Sequence, residues 1–172
     1  VADTPEKKEM YLRTAYESTG EMNSLLQKLF DFSRMESGQM PFHMVRVDLA
    51  EFADAYVAQR AAVTDRNKVQ MQVHRETEQM PDVLLEVDQV PRIFDNLREN
   101  SIKYAKVCPV KIDIRIYENL EKGVSLEWKD NGTGVPEEKL PHIFERFYRC
   151  DESRNEKGSG VGLYVVKYIM EC

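Results

Sequence analysis

The segment from Val110 to Trp128 constrains the fold of this chain more than any other. Apolar residues at positions 110, 112, 114 and 116 alternate with polar ones, a turn follows at 119–123, and apolar positions 124, 126 and 128 alternate again. Alternation on both sides of a short turn predicts a β-hairpin with one buried face. A sheet of this kind needs a covering layer, which helical patterns elsewhere can supply. We therefore expect an α+β fold, a two-layer α/β sandwich.

A long helix is predicted before this sandwich. Thr4-Pro5 is typical of an N-cap followed by proline at the first helical position, and only Gly20 interrupts the pattern before Gly38. Apolar residues recur at spacings of three and four, at Tyr11, Ala15, Met22, Leu25, Leu29 and Phe32. A helix over 5–37 would be roughly 50 Å long, so we expect it to join partner helices in a bundle. The alternative is an amphipathic helix that packs on its own domain alone.

Two units are predicted, residues 1–40 with the long helix and residues 41–172 with the sandwich. Further strands are predicted at 42–47, 69–73 and 83–87. Asp48 and Glu51 form a capping box for a helix to about Asp65, and Asp88 is predicted to cap a helix that runs to about Tyr104.

Composition and charge narrow the range of partners. The net charge is -6 and the pI is about 5.2, with lysine and arginine scattered, so we expect neither nucleic acid nor an anionic membrane as a partner. No apolar run is long enough to span a bilayer, and the first residues lack a signal-peptide pattern. Cys108, Cys150 and Cys172 lie far apart and fit neither a disulfide framework nor a metal site, which is typical of a reducing cytosol.

Three polar residues share one face of the helix predicted at 88–104. Asn96, Asn100 and Lys103 are four and three residues apart, whereas Ile93 lies toward the core. Mg²⁺ prefers oxygen ligands and usually binds through one or two protein groups together with substrate phosphates, which suits an asparagine amide. The alternative is a solvated face, because Asn and Lys are ordinary surface residues.

A second motif, Asp130-Asn131-Gly132-Thr133-Gly134, ends the hairpin. Its glycines let the backbone approach a flat ligand closely, so Asp130 would lie in a pocket. A carboxylate there can accept a hydrogen bond from the exocyclic amine of adenine, which would select ATP over GTP. The alternative is an Asp-Gly turn that closes a hairpin.

Two more segments follow. Phe144-Glu145-Arg146-Phe147-Tyr148-Arg149 precedes a polar stretch, 150–157, which we expect to be a mobile lid. Phe144 and Phe147 would anchor its base, and Arg146 or Arg149 would reach either the γ-phosphate or the partner domain. Gly158-Ser159-Gly160-Val161-Gly162-Leu163 then opens an apolar helix, whose N–H groups and positive dipole end can hold phosphate oxygens. The alternatives are a surface loop and a flexible hinge.

In kind, order and spacing, these segments resemble the N, G1, F and G2 boxes of sensor histidine kinases in the GHKL ATPase superfamily. The first of them is Asp95-Asn96-Leu97-Arg98-Glu99-Asn100-Ser101-Ile102-Lys103-Tyr104. Residues 25–38 also resemble the second helix of the dimerisation domain of these kinases. The resemblance implies a Bergerat-type ATP-binding fold, preceded by a long helix from a helical dimerisation bundle.

The resemblance also implies roles for individual residues. Asn100 would ligate Mg²⁺, Asn96 would support the metal or a water, Lys103 would place a charge near the phosphates, and Tyr104 would line the nucleotide site. The other implied ATP-binding residues are Asp130, Gly132, Gly134, Phe147, Arg149, Gly158, Ser159, Gly160, Val161, Gly162 and Leu163. Hydrolytic relatives carry a glutamate at the position of Asn96, so the resemblance favours phosphoryl transfer over hydrolysis.

The implied activity is transfer of the γ-phosphoryl of Mg-ATP to a histidine outside this chain, and then to an aspartate of a response-regulator receiver domain. His43, His74 and His142 do not lie in a motif like the family's phosphoacceptor. The chain ends at Cys172, where the family normally adds a glycine turn and two strands. We therefore interpret it as a cytoplasmic fragment of a homodimeric, membrane-anchored parent. A catalytically inactive nucleotide-binding scaffold or ATP sensor is the alternative, and a coiled-coil interaction protein would bind no nucleotide.

Overall fold

The computed structural model describes residues 4–38, 43–77, 80–119, 123–150 and 159–171. Helix α1 spans Pro5–Glu36 and begins as the sequence predicts, because the Thr4 side chain accepts a hydrogen bond from the Lys7 N–H at 3.4 Å. The helix gives way to Gly38, whose φ of +63° favours glycine at this position.

The strands form two sheets. β1 (Met44–Val47) pairs antiparallel with β3 (Val83–Glu86), and a second sheet has the order β2 (Val69–Arg75), β4 (Val110–Asn119), β5 (Gly123–Asp130). β2 runs parallel to β4, while β4 and β5 form the predicted antiparallel hairpin. Two parts of these predictions, the start of the first strand at 42 and the hairpin turn at 120–122, lie outside the described residues.

One face of the hairpin is buried, as its alternation predicts. Ile112, Ile114 and Ile116 are almost fully buried. In the antiparallel register Trp128 lies opposite Ile114, and Asp130 lies opposite Ile112. Because directly opposed residues share a face, Trp128 and Asp130 point to the side of the buried isoleucines.

Helices α2 (Leu49–Ala61) and α3 (Val90–Tyr104) contribute to the core on this side of the sheet. The Phe94 ring of α3 is 2% exposed and meets the Trp128 ring edge-on, with centroids 5.7 Å apart. Tyr56 of α2 donates a hydrogen bond to Asp95 of α3 at 2.8 Å. Burial, together with the neighbouring Asp95 carboxylate, raises the pKa of Tyr56 well above its ordinary value. The expected two-layer α+β arrangement is confirmed.

The prediction that Asp48 caps the start of α2 is confirmed, whereas the end of the helix differs from its prediction. The Asp48 carboxylate accepts two backbone N–H groups of the first turn, at 2.8 and 3.0 Å. The helix ends at Ala61 and not near Asp65. The reason is that the Asp65 carboxylate accepts the Asn67 N–H at 2.9 Å, which forms a turn leading into β2.

The prediction that Asp88 caps α3 is wrong. The helix begins at Val90, and Gln89 occupies the N-cap position without a side-chain capping bond. The carboxylate that serves this turn belongs to Glu86, which is 5% exposed and accepts the Gln89 N–H at 2.6 Å. Glu86 also accepts the His43 N–H at 3.4 Å, so it ties the start of α3 to the residue before β1.

Helix α4 (Gly162–Glu171) forms a second apolar cluster with the last turn of α1. Met35 is 3% exposed and packs with Val161 and Val165. Above this contact, large apolar side chains of α1 that the structure describes are exposed, and we refer to them as the exposed apolar stripe of α1: Tyr11, Met22, Leu26, Leu29 and Phe30, flanked by Met10, Leu12 and Tyr16. The side chains of Leu25 and Phe32, both in the predicted stripe, lie outside the description.

The bundle and the domain boundary near residue 40 stay predictions. The boundary falls in residues 39–42, which lie outside the described ranges. Within the described part of the chain, no helix combines the length and the hydropathy needed to cross a membrane.

Candidate functional site

The polar face of α3 forms one wall of a large cavity. Asn96, Asn100 and Lys103 line it together, as their spacing predicts, and Tyr104 lines it beside Lys103. The Lys103 ammonium lies 2.9 Å from the Tyr104 hydroxyl and 4.6 Å from the centre of its ring. The cavity has a volume of about 1120 Å³, which is large enough for a nucleotide-sized ligand.

Asn96 lies directly against the glycine turn at the start of α4. Its Nδ2 donates to the Arg92 carbonyl at 2.8 Å, one turn back in α3. A Cβ atom built on Gly162 would lie 2.9 Å from the Asn96 Oδ1, closer than real Cβ contacts allow. Glycine at 162 therefore lets α4 begin against the Asn96 amide, and the first and last motifs meet at one place.

Asp130 lines the same cavity and is held by hydrogen bonds to both of its oxygens. The Ser101 hydroxyl donates to Oδ2 at 2.8 Å, and the Gly132 N–H donates to Oδ1 at 2.9 Å. The indole Nε1 of Trp128 in turn donates to the Ser101 Oγ at 3.1 Å. The orientation of the carboxylate is thus fixed relative to both α3 and β5.

Gly132 lets the turn after β5 lie against the end of α3. A Cβ on Gly132 would come 2.6 Å from the Ala105 Cα and 2.9 Å from the Asp130 Oδ1. The first contact is with backbone, so a side chain at 132 would push the turn away from the helix. Gly134, with a φ of +70°, follows in the cavity wall.

Another wall comes from the segment between this turn and the predicted lid. It contains a 3₁₀ helix, Glu137–His142, and Lys139 in that helix donates to the Cys150 carbonyl at 2.6 Å. Phe144 and Arg149 line the cavity. The Lys139 bond ties the two ends of this segment together. Of the predicted lid, 150–157, all but Cys150 lies outside the described residues.

Phe147 and Gly160 meet through the Phe147 backbone. A Cβ on Gly160 would lie 2.7 Å from the Phe147 carbonyl carbon, and Phe147 has a φ of +61°, which is rare for a bulky residue. The Phe147 residue is 62% exposed and is not part of the cavity lining. The structure thus shows a main-chain contact with Gly160 and no place for Phe147 in the cavity lining. Its role as an anchor of the lid stays a prediction, because residues 151–157 lie outside the described residues.

The cavity brings together predicted site residues from separate parts of the chain. The lining contains Asn96, Asn100, Lys103, Tyr104, Asp130, Gly134, Arg149, Ser159, Gly160, Gly162 and Leu163. Gly132 and Val161 are not part of the lining: Gly132 supports the Asp130 turn, and Val161 is 6% exposed beside Met35. Gly158 lies outside the described residues.

Sequence reasoning missed Ser101, which is 3% exposed. A signal was available, because position 101 continues the apolar stripe of α3 that includes Ile93 and Leu97. A buried hydroxyl on such a stripe needs a hydrogen-bond partner. Trp128 and Asp130, the polar groups on the inward face of β5, were the candidates.

The donor set at the cavity fits Mg²⁺ held jointly with phosphates. Asn96 and Asn100 carry amide oxygens, which are hard ligands of the kind Mg²⁺ takes. Among the described residues, no group of three or more His, Cys, Asp and Glu side chains is placed to hold a metal ion. Because Mg²⁺ usually binds through one or two protein groups together with substrate phosphates, two amide oxygens suit an ion brought with an anionic ligand.

The start of α4 can bind anions. The helix has ten residues, and its first residues, Gly162 and Leu163, line the cavity. The N–H groups of a first helical turn lack partners within the helix and carry a positive partial charge. Phosphate oxygens can accept hydrogen bonds from such a turn.

Comparison with known proteins shows a match to one family and similarity to a sensor kinase. The family described as histidine kinase-, DNA gyrase B-, and HSP90-like ATPase matches residues 85–172. Sensor protein kinase WalK of Staphylococcus haemolyticus (strain JCSC1435) is 28% identical over 167 residues, which cover 94% of this chain and 26% of WalK. The chain thus spans about a quarter of the length of that relative.

Solved structures share the fold. Full-length ShkA, in complex with AMPPNP, matches with a TM-score of 0.81 at 18% identity, over 99% of this chain and 35% of ShkA. The histidine kinase ThkA, in complex with the response regulator protein TrrA, matches with a TM-score of 0.66 at 15% identity, over 86% of this chain and 42% of the ThkA chain. These likenesses confirm the fold class.

Proposed function

Because this chain belongs to the histidine kinase-, DNA gyrase B-, and HSP90-like ATPase family, we propose that it transfers the γ-phosphoryl group of Mg-ATP to a histidine outside this chain, as the ATP-binding catalytic part of a sensor histidine kinase. Similarity to a sensor kinase over 94% of the chain supports this branch of the family. The convergence of the motifs from α3, from the end of β5 and from the start of α4 on one cavity carries the proposal.

Asp130 is suited to hold the adenine base. Each carboxylate oxygen accepts one donor from the protein, and an ionised carboxylate has about four acceptor positions, so capacity remains for the exocyclic amine of adenine. Leu97, Val135 and Ile143 line the same cavity and suit the faces of a flat ring. These groups would bind the base in one orientation.

The glycine turn before α4 is suited to the phosphates. Gly160 and Gly162 place no side chain in the turn, so phosphate oxygens can approach the backbone N–H groups. Lys103 and Arg149 bring cationic side chains to the same cavity. Phosphoryl transfer depends mainly on positioning and on charge stabilisation, which this set of groups can provide.

Asn100 is the proposed protein ligand of Mg²⁺, with Asn96 beside it. The bound ion would neutralise charge on the phosphate oxygens. The chain's own contribution is to orient the amides, and Asn96 is fixed between the Arg92 carbonyl and Gly162. An amide at position 96 supplies no general base for a water molecule, which favours transfer over hydrolysis.

The proposed partners lie beyond this chain. The exposed apolar stripe of α1 would pack in the helical bundle of a homodimer. A response-regulator receiver domain would take the phosphoryl group next, and the ThkA structure with a response regulator supports this choice. The parent would be anchored in the membrane through segments outside this chain, with the present part in the cytoplasm.

A transfer assay tests the proposed function. The chain is incubated with γ-labelled ATP, Mg²⁺ and a separately supplied dimer of acceptor helices, and phosphohistidine on the acceptor is the expected product. Nucleotide binding without transfer to any acceptor would contradict the kinase proposal and support the scaffold alternative. Trp128, the one tryptophan of the chain, reports binding because it is linked through Ser101 to Asp130.

Asp130→Asn tests the adenine assignment. The variant should weaken Mg-ATP binding by about 1.5 to 3 kcal/mol, roughly 10- to 150-fold, because a neutral amide replaces the charged acceptor. Asp113→Asn is the matched control, since Asp113 lies on the adjacent strand β4 at a non-inward position and contacts His74 at 3.4 Å. Calorimetric titration gives both affinities. Equal affinities for Asp130→Asn and the wild-type chain would reject the assignment.

A further inference from the structure

Ser101 is a buried hydroxyl between two polar groups of the sheet. It is 3% exposed, it lies on α3 next to Asn100, and it contacts both Trp128 and Asp130 of β5. The Trp128 Nε1 lies 3.1 Å from its Oγ, and the Asp130 Oδ2 lies 2.8 Å from it. Ser101 therefore connects the helix that bears the amide motif to the strand that bears the carboxylate.

The direction of these two hydrogen bonds is fixed by the chemistry of the partners. An indole N–H can donate and cannot accept, so the Ser101 oxygen must be the acceptor from Trp128. An ionised carboxylate can accept and cannot donate, so the Ser101 proton must point to Asp130. The hydroxyl has one proton, which it donates to the Asp130 carboxylate. The two hydrogen bonds therefore run in one direction, from Trp128 through Ser101 to Asp130.

A serine held in this way limits the freedom of the carboxylate. The Ser101 hydroxyl fixes Oδ2 and the Gly132 N–H fixes Oδ1, so rotation of the Asp130 carboxylate would break both bonds. A carboxylate fixed in one plane presents its remaining acceptor positions in fixed directions. Orientation of this kind matters most to a ligand group that must donate to the carboxylate.

We propose that Ser101 is a positioning residue for base selection: it orients the Asp130 carboxylate so that the cavity accepts a purine with an amine at the 6-position and discriminates against one with a carbonyl there. This rests on the proposed function, in which Asp130 contacts adenine. Adenine donates from that amine, whereas the carbonyl oxygen of hypoxanthine faces an acceptor and repels it. Ser101 also lines the cavity, and its proposed effect on base selection runs through its hydrogen bond to Asp130.

ATP and ITP, which differ at this position of the base, are the probes. Affinities of both with Mg²⁺ are measured for the wild-type chain and for Ser101→Ala. We expect Ser101→Ala to weaken ATP binding about 3- to 10-fold and ITP binding less than about 2-fold, because one hydrogen bond to the adenine-binding group is lost. The ratio of the two affinities decides the matter, since a merely structural effect would lower both alike.

Two further variants sharpen the test. Ser125→Ala is the matched control, because Ser125 lies on the same strand as Asp130 at a position of the opposite parity, opposite Tyr117. It should leave the ATP-to-ITP ratio unchanged. In an Asp130→Asn background, Ser101→Ala should not change the ratio further, because the residue through which Ser101 acts has been altered.

Trp128 fluorescence checks the contact independently of nucleotide. Loss of the hydroxyl acceptor in Ser101→Ala should shift the emission of the free chain, and Ser125→Ala should not shift it. If Ser101→Ala leaves the ratio of the ATP and ITP affinities unchanged, for example by weakening both equally, the positioning role is overturned while the adenine site stays in place. A wild-type chain that binds ATP and ITP equally would instead overturn the adenine assignment, and the positioning role with it.

Discussion

Gly160→Ala should lower the free energy of unfolding more than an alanine substitution at a glycine that has a positive φ but free space around its Cβ position. Gly160 has a φ of +69°, and a Cβ there would lie 2.7 Å from the carbonyl carbon of Phe147 and 2.9 Å from its Cα. The nearest atoms all belong to the Phe147 main chain, so no side chain can rotate away to relieve the contact. Either the Phe147 segment or the start of α4 must move.

Two physical terms set the magnitude. A non-glycine residue in the left-handed region costs about 1–2 kcal/mol. Displacement of well-packed atoms by an added methyl group costs about 1–3 kcal/mol. Together they predict a loss of about 2–5 kcal/mol in the free energy of unfolding. Mg-ATP affinity should fall as well, because the displaced turn is the proposed phosphate site.

Two other glycines separate these terms. Gly123 has a φ of +79° with no atom within 4 Å of its Cβ position, so Gly123→Ala should lose about 1–2 kcal/mol from backbone strain alone. Gly20, inside α1, has neither a positive φ nor a close atom, so Gly20→Ala should gain about 0.5–1 kcal/mol. Urea unfolding followed by far-UV circular dichroism measures all three variants. If Gly160→Ala costs no more than Gly123→Ala, the Phe147 main chain is not a rigid neighbour and this reasoning is refuted.

Three other variants test separate parts of the structure. Asn100→Ala should remove most of the Mg²⁺ dependence of ATP affinity and leave metal-free binding little changed; calorimetry with and without Mg²⁺ measures this, and a retained dependence would mean another ligand. Tyr56→Phe should make the free energy of unfolding less dependent on pH in the alkaline range. Because the pKa of Tyr56 is raised in the folded chain, its stabilising contribution is complete below the unfolded-state pKa near 10 and is lost as the pH rises toward the folded-state pKa. In urea unfolding above pH 10, the wild-type chain should therefore lose more stability than the variant. An equal loss would show that burial and the Asp95 carboxylate do not raise the pKa of Tyr56. Met35→Ala should lower the free energy of unfolding by about 2–5 kcal/mol, whereas Met170→Ala, at an exposed position of α4, should change it by less than about 0.5 kcal/mol. Equal effects would show that Met35 is not packed on α4.

Local periodicity predicts much of this fold. The hairpin follows from alternation alone, because Ile114 and Trp128 belong to strands with one buried face and the register then places them side by side. The polar face of α3 follows from spacings of three and four residues, which bring Asn96 and Asn100 to the same wall of the cavity. Each of these features depends on residues close together in the chain.

Contacts between remote segments are much harder to predict. The need for glycine at 132 and 160 depends on the atoms of Ala105 and Phe147 that approach them, and no local pattern specifies those neighbours. The start of α3 shows a related difficulty. Glu86 and Asp88 both precede the helix with suitable side chains, and the geometry at the end of β3 decides that Glu86 binds the turn.

Met35 makes α1 and α4 mechanically dependent on each other. Its side chain packs with Val161 and Val165. Gly162, which follows Val161 in the chain, lies against the side-chain amide of Asn96. A rotation of α1 about its own axis would therefore either displace the first turn of α4 as well or expose the Met35 side chain to water. Among the described side chains, Met35 thus couples the end of the long helix to the turn that begins α4.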